Sequence, residues 1–108
     1  MNNLLTVTAG DDRDLELTLV DGAGSPLDLT GASLWFTVEG LFQKTIGDGI
    51  TVSVPIDGVA VISVSAADTS GVSVRTARRY DVQVRTAAGK TKTPVKGTFV
   101  ILPDVTED

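Results

Sequence analysis

Leu15-Glu16-Leu17-Thr18-Leu19 decides the fold, because apolar and polar residues alternate there without a break. Strict alternation gives a strand one dry face and one wet face, whereas a helix would need apolar residues three and four apart. Ile50-Thr51-Val52-Ser53-Val54 and Tyr80-Asp81-Val82-Gln83-Val84-Arg85 repeat the same period. Leu34-Trp35-Phe36-Thr37-Val38 and, apart from Ser63, the run from Val59 to Val64 are apolar on both parities, as strands covered on both faces are. No stretch carries a sustained helical recurrence, and the abundant Val and Thr suit a pleated surface.

Turn chemistry separates these runs. Asp21-Gly22-Ala23-Gly24-Ser25-Pro26, Gly47-Asp48-Gly49, Pro55-Ile56-Asp57-Gly58 and Ala87-Ala88-Gly89-Lys90 all mark reversals. Turns every ~8–12 residues predict about eight strands. They fall at 4–9, 14–20, 33–39, 41–46, 50–54, 59–64, 79–86 and 92–102. The pattern predicts an all-β fold: a single antiparallel, immunoglobulin-like β-sandwich spanning residues 1–108 as one domain, with 104–108 as a frayed polar tail. Pro94 cannot donate to a ladder, so the last strand is expected to begin at an edge or to bulge there. Ser65-Ala66-Ala67-Asp68-Thr69-Ser70 predicts one short helical turn, with Ser65 as N-cap and Asp68 placed as in a capping box.

Composition removes several classes of function. Cysteine and histidine are both absent, which excludes disulfides, thiolate nucleophiles and imidazole acid–base work. A net charge of -5 opposes binding to nucleic acid. The acids crowd the first half as Asp11, Asp12, Asp14, Glu16, Asp21, Asp28, Glu39 and Asp48, while Arg75, Arg78, Arg79, Arg85, Lys90, Lys92 and Lys96 dominate later. That asymmetry reads as two differently charged solvated faces, or more sharply as head-to-tail complementarity between copies or with a partner. No apolar run approaches the ~20 residues that span a bilayer, so neither a transmembrane segment nor membrane binding is expected. Met1-Asn2-Asn3-Leu4-Leu5 lacks the basic start of a signal peptide, which points to synthesis in the cytoplasm.

No residues are read as catalytic, cofactor-binding or metal-ligating, and no enzyme activity or cofactor is expected. Asp11-Asp12-Arg13-Asp14 lacks calcium-loop spacing and reads as a hydrophilic turn. Asp28-Leu29-Thr30-Gly31 reads as a side-chain-capped turn. Trp35 and Phe36 must point to opposite faces; with Phe36 joining Leu34 and Val38 in the core, Trp35 turns outward, under a loop or into an interface. Tyr80 is placed to tie its hydroxyl back to an upstream connection, as in a tyrosine corner. The candidate interface or ligand contacts are Trp35, Arg78, Arg79, Lys90, Lys92 and Lys96. The three lysines share a parity, and one solvent face of an edge strand guarded by lysine is expected.

In order along the chain stand Ala9-Gly10-Asp11-Asp12, Asp21-Gly22-Ala23-Gly24-Ser25-Pro26-Leu27-Asp28-Leu29-Thr30-Gly31-Ala32, and the aromatic strand from Leu34 to Val38. Ala66-Ala67-Asp68-Thr69, Tyr80-Asp81-Val82, Gly97-Thr98-Phe99-Val100-Ile101 and Asp104-Val105-Thr106 follow. This succession resembles small bacteriophage tail and baseplate proteins, in particular the N-terminal domain of baseplate upper proteins and related long-tail-fibre-associated virion proteins. The resemblance implies a structural adaptor in a virion, packing against other virion proteins or copies of itself, and brings no functional residues with it. A carbohydrate- or receptor-binding module using Trp35, and a capsid decoration or head-fibre protein, are the alternatives.

Overall fold

The computed structural model describes residues 3–69, 71–72 and 74–103. Eight strands occupy the positions that alternation predicts: β1 (Asn3–Thr8), β2 (Arg13–Thr18), β3 (Ser33–Val38), β4 (Phe42–Ile46), β5 (Gly49–Val54), β6 (Val59–Val64), β7 (Thr76–Arg85) and β8 (Thr91–Leu102). One helical turn, α1 (Ala66–Thr69), fills the connector expected at 65–70, of which Ser70 lies outside the described residues. The tail expected at 104–108 lies outside them as well.

The strands form one sheet in the order β1-β8-β7-β3-β4-β5-β6-β2, curled nearly into a barrel with β1 and β2 as its two edges. The expectation of a purely antiparallel arrangement is corrected here. β1 runs parallel to β8 in unbroken register from Asn3↔Gly97 to Thr8↔Leu102, and β4 meets β5 in parallel at Thr45↔Gly49 and Ile46↔Ile50. Alternation reports which face a residue takes and is blind to strand direction. Gly47 and Asp48 alone separate β4 from β5, far too little chain for a crossover. The pairing is a local kink, in which Asp48 N–H donates to Thr45 O at 2.9 Å and Gly47 N–H to Ile50 O at 3.0 Å.

The inner face of the curl holds the core. Leu34, Phe36 and Val38 of β3 lie beside Tyr80, Val82 and Val84 of β7, with Phe99 and Ile101 of β8 and Val7 of β1 beyond them. Leu15, Ile50, Ala60, Ile62 and Val64 supply β2, β5 and β6. Full burial of a Val, Leu, Ile or Phe side chain stabilises by about 1.5–3 kcal/mol, which makes this face the main source of stability. Leu19, Leu27 and Leu29 extend the core into the long β2–β3 loop. Backbone bonds from Leu19 N–H to Gly58 O (2.8 Å) and from Leu29 N–H to Pro55 O (2.8 Å) stitch that loop to the β5–β6 turn. Gly58 is required at this seam: its φ is +73°, and a Cβ would collide with the carbonyl oxygens of Leu19 and Leu27.

The irregularity expected at Pro94 is a bulge. Val82 pairs with Val95 but Val84 pairs with Lys92, so β8 carries one residue more than β7 across this interval. The bulge falls where β8 has β7 on one side only, because β1 pairs β8 from Gly97 onward.

Candidate functional site

The candidate contact residues lie on β3 and the β7–β8 hairpin. β3 turns Phe36 fully inward, so Trp35 takes the outer face as expected; it is half-buried, across from Thr45 on one side and Gln83 on the other. A shallow cleft of about 340 Å³ lies beside it, lined by Ala32, Ser33, Thr45 and Ile46.

A broader groove of about 720 Å³ crosses the outer face of β3, β7 and β8. Arg79 and Lys96 line it together with Glu39 and Asp81. Arg79 Nε donates to Glu39 Oε2 at 3.1 Å, and Asp81 stands directly across from Lys96. Both partners of the Arg79–Glu39 pair are largely exposed, so the pair orders the rim and adds little stability. Two cations face two carboxylates across this groove, which makes it a polar contact surface with no net field to draw an anion.

The remaining candidates do not converge there. Arg78 is exposed and lies across from Phe99, on the opposite parity from Arg79, so the adjacent arginines diverge. Lys90 belongs to the hairpin turn, where Thr86 N–H donates to its carbonyl at 2.8 Å and its own N–H donates to Thr86 Oγ1 at 3.2 Å. The expectation of one lysine face is therefore corrected. The bulge resets the parity of β8, so Lys92 pairs with core-facing Val84 while Lys96 pairs with outward Asp81. Lys92 does stand on an edge, because this stretch of β8 pairs with β7 alone and β1 joins only from Gly97.

The polar residues with the densest connections lie elsewhere, around α1. Asp12 Oδ1 accepts from Ala66 N–H at 2.7 Å, and Gly10 N–H donates to Thr69 Oγ1 at 3.0 Å, binding the β1–β2 loop to α1. Asp68 Oδ2 accepts from Ser65 N–H at 2.8 Å, the backward half of the expected capping box. The same carboxylate pairs with Lys44 Nζ at 2.8 Å, both side chains being largely buried. Burial pushes the Asp68 carboxyl up, but Lys44 and the Ser65 amide and hydroxyl outweigh it and hold the group below its ordinary value. Lys44 also lies 5.3 Å from the centre of the Phe42 ring, so one ammonium joins the clasp to the core.

Other acids are engaged in the same way. Asp21 Oδ1 accepts from the amides of Ala23 (2.9 Å) and Ser25 (3.0 Å), and Asp28 Oδ1 accepts from Thr30 N–H at 3.0 Å, the turn cap expected there. The hydrogen bonds from Thr30 hold the Asp28 carboxyl below its ordinary value. Among the described residues, no group of three or more acidic side chains is placed to hold a metal ion. The tyrosine corner is corrected: Tyr80 sits within β7, its hydroxyl is buried with no hydrogen-bond partner among the described residues, and burial pushes its pKa up.

Sequence reasoning found the Ser65–Asp68 cap because its signal is local. It missed Asp12, Lys44 and Thr69, whose partners lie tens of residues away in the chain. No protein-family model matches the sequence, and neither does any curated protein sequence.

Proposed function

We propose that this domain is a structural packing module of a bacteriophage particle, a tail-tip or baseplate adaptor that works by protein–protein contact. The observation that carries this reading is that the best-connected carboxylates are engaged in holding the loops and α1 in place. The carboxylates of Asp12, Asp21, Asp28 and Asp68 accept bonds from backbone amides, and Lys44 is tied to Asp68. The surface offered to partners among the described residues includes a charge-balanced groove, the shallow cleft beside Trp35 and two strand edges. Broad surfaces of that kind suit packing over area better than enclosure of a small substrate. The succession of turn and strand motifs resembling baseplate upper proteins supports the particle as the setting.

In this reading the curled sheet is an immunoglobulin-like sandwich. The order β1-β8-β7-β3-β4-β5-β6-β2 divides at the kink between β4 and β5, which is held by only two register pairs. On one side, β2, β6 and β5 take the places of strands B, E and D; on the other, β8, β7 and β3 take those of G, F and C. The test of the particle assignment is mass spectrometry of purified virions from the strain that encodes the chain. Recovery in fixed ratio to known tail proteins is expected, and its absence from intact particles would sink the reading.

A further inference from the structure

We propose that the edge of β1 that no strand covers among the described residues is a self-association site, at which two copies of this chain pair β1 against β1, antiparallel about a two-fold axis. An edge strand offers unpaired N–H and C=O groups to any extended chain, and folded proteins normally guard such edges with charge, proline or a bulge. The two edges of this sheet differ in that respect. β2 carries Arg13, Asp14 and Glu16, all exposed. The segment 3–8 reads Asn-Leu-Leu-Thr-Val-Thr, with no charge and no proline, and its register with β8 has no bulge.

The backbone groups on offer can be identified. Ala9 N–H donates to Leu102 O at 2.8 Å, just past the end of the β1–β8 ladder. Successive residues of a strand aim their peptide groups at opposite neighbours, so residues 5 and 7 face β8 while residues 4 and 6 face the free edge. The Thr8 carbonyl already accepts from Asp11 N–H at 3.1 Å, which bounds the available run. The sheet surface behind the edge is uncharged as well. Leu4 lies across from Thr98, Thr6 from Val100 and Thr8 from Leu102, with Leu4 67% and Leu102 38% exposed.

Charge selects the occupant. Pairing β1 with the β2 edge of another copy would lay Asp14 and Glu16 along an uncharged strand, and pairing β2 with β2 would bring those carboxylates close to their own copies. β1 against β1 sets neutral side chains opposite neutral ones. It is also isologous, so that with Thr6 at the axis Leu4 of each copy meets Thr8 of the other. This inference deepens the packing-module reading and rests on it only as to setting. Absence of the chain from virions would leave the dimer standing, whereas a strictly monomeric protein would remove the dimer and leave the virion assignment untouched.

The test is sedimentation velocity of the full chain over a concentration series, with amide hydrogen exchange on the same samples. A monomer–dimer equilibrium is expected, in which exchange at Thr6 slows as concentration rises while exchange at Glu16 does not. Thr6→Lys brings two ammonium groups together near the axis, and Thr6→Pro removes an edge donor. Each should weaken the dimer on the order of tenfold or more. Thr18→Lys, on β2, should leave it unchanged, and circular dichroism checks that each variant is folded. A wild-type chain that stays monomeric to its solubility limit overturns the proposal. So does a dimer sensitive to Thr18→Lys but indifferent to both Thr6 variants, or protection of Thr6 that is independent of concentration.

Discussion

Phe36, Phe42, Tyr80 and Phe99 fill one region of the core with rings, while at α1 Asp12, Lys44, Asp68 and Thr69 clasp the helical turn to its neighbours. The rings sit 5.5 to 6.4 Å apart in tilted, stacked and edge-on arrangements, and they join β3, β4, β7 and β8 through apolar contact. The clasp joins β4, the β1–β2 loop and α1 through hydrogen bonds and one ion pair. Apolar burial is indifferent to pH and to the loss of any one hydrogen bond, whereas the Lys44–Asp68 part of the clasp depends on the ionisation of the Asp68 carboxyl. A small sheet thus secures its central strands by area and its connectors by charge-assisted bonds, and the two regions should fail in different ways.

The comparison is sharpened first by Phe36→Ala. Phe36 is fully buried and contacts three other rings, so its truncation should cost about 3–5 kcal/mol in urea unfolding, with no dependence on pH. Asp68→Ala removes the Ser65 cap and leaves Lys44 without its carboxylate, at a cost of about 1–2 kcal/mol at neutral pH. Here the sign follows from the lowered pKa of folded Asp68. Its contribution is complete above the ordinary carboxylate value of about 4 and is lost as pH falls through the lower folded value. The gap between wild type and Asp68→Ala should therefore close on acidification; a gap that stays constant would break the contrast between the regions. Tyr80→Phe gives the smallest effect and the opposite sign. It removes a buried hydroxyl that has no partner among the described residues, so a gain of up to about 1 kcal/mol is expected, read as a rise in Tm. A clear loss would mean that the ring region also depends on a polar contact.

How much of this was legible in the sequence depended on the range of each signal. Leu15-Glu16-Leu17 and Tyr80-Asp81-Val82 announce strands because a period of two is written in adjacent residues, and Pro94 announces its bulge because the missing donor is its own. Strand direction is not written in that period, so the parallel pairings of β1 with β8 and of β4 with β5 could not be read. One inserted residue in β8 was enough to part Lys92 from Lys96, although their spacing suggested a common face. The clasp shows the same limit: Asp12 caps α1 from 54 residues away, and nothing near Asp12 points to Ala66. Tyr80 erred for a different reason. Its place near the start of a late strand suggested a partner for the hydroxyl, yet β7 begins earlier, at Thr76, and carries the ring into the aromatic cluster.

The parallel pairing of β1 with β8 has a mechanical consequence. Chain entering at Asn3 and chain leaving at Leu102 emerge from opposite ends of a continuous six-pair ladder, because both strands run the same way. Tension drawn between those points pulls the two strands past each other along their length. The ladder is then loaded in shear, with all its bonds resisting together, whereas an antiparallel terminal pair would be peeled open one bond at a time.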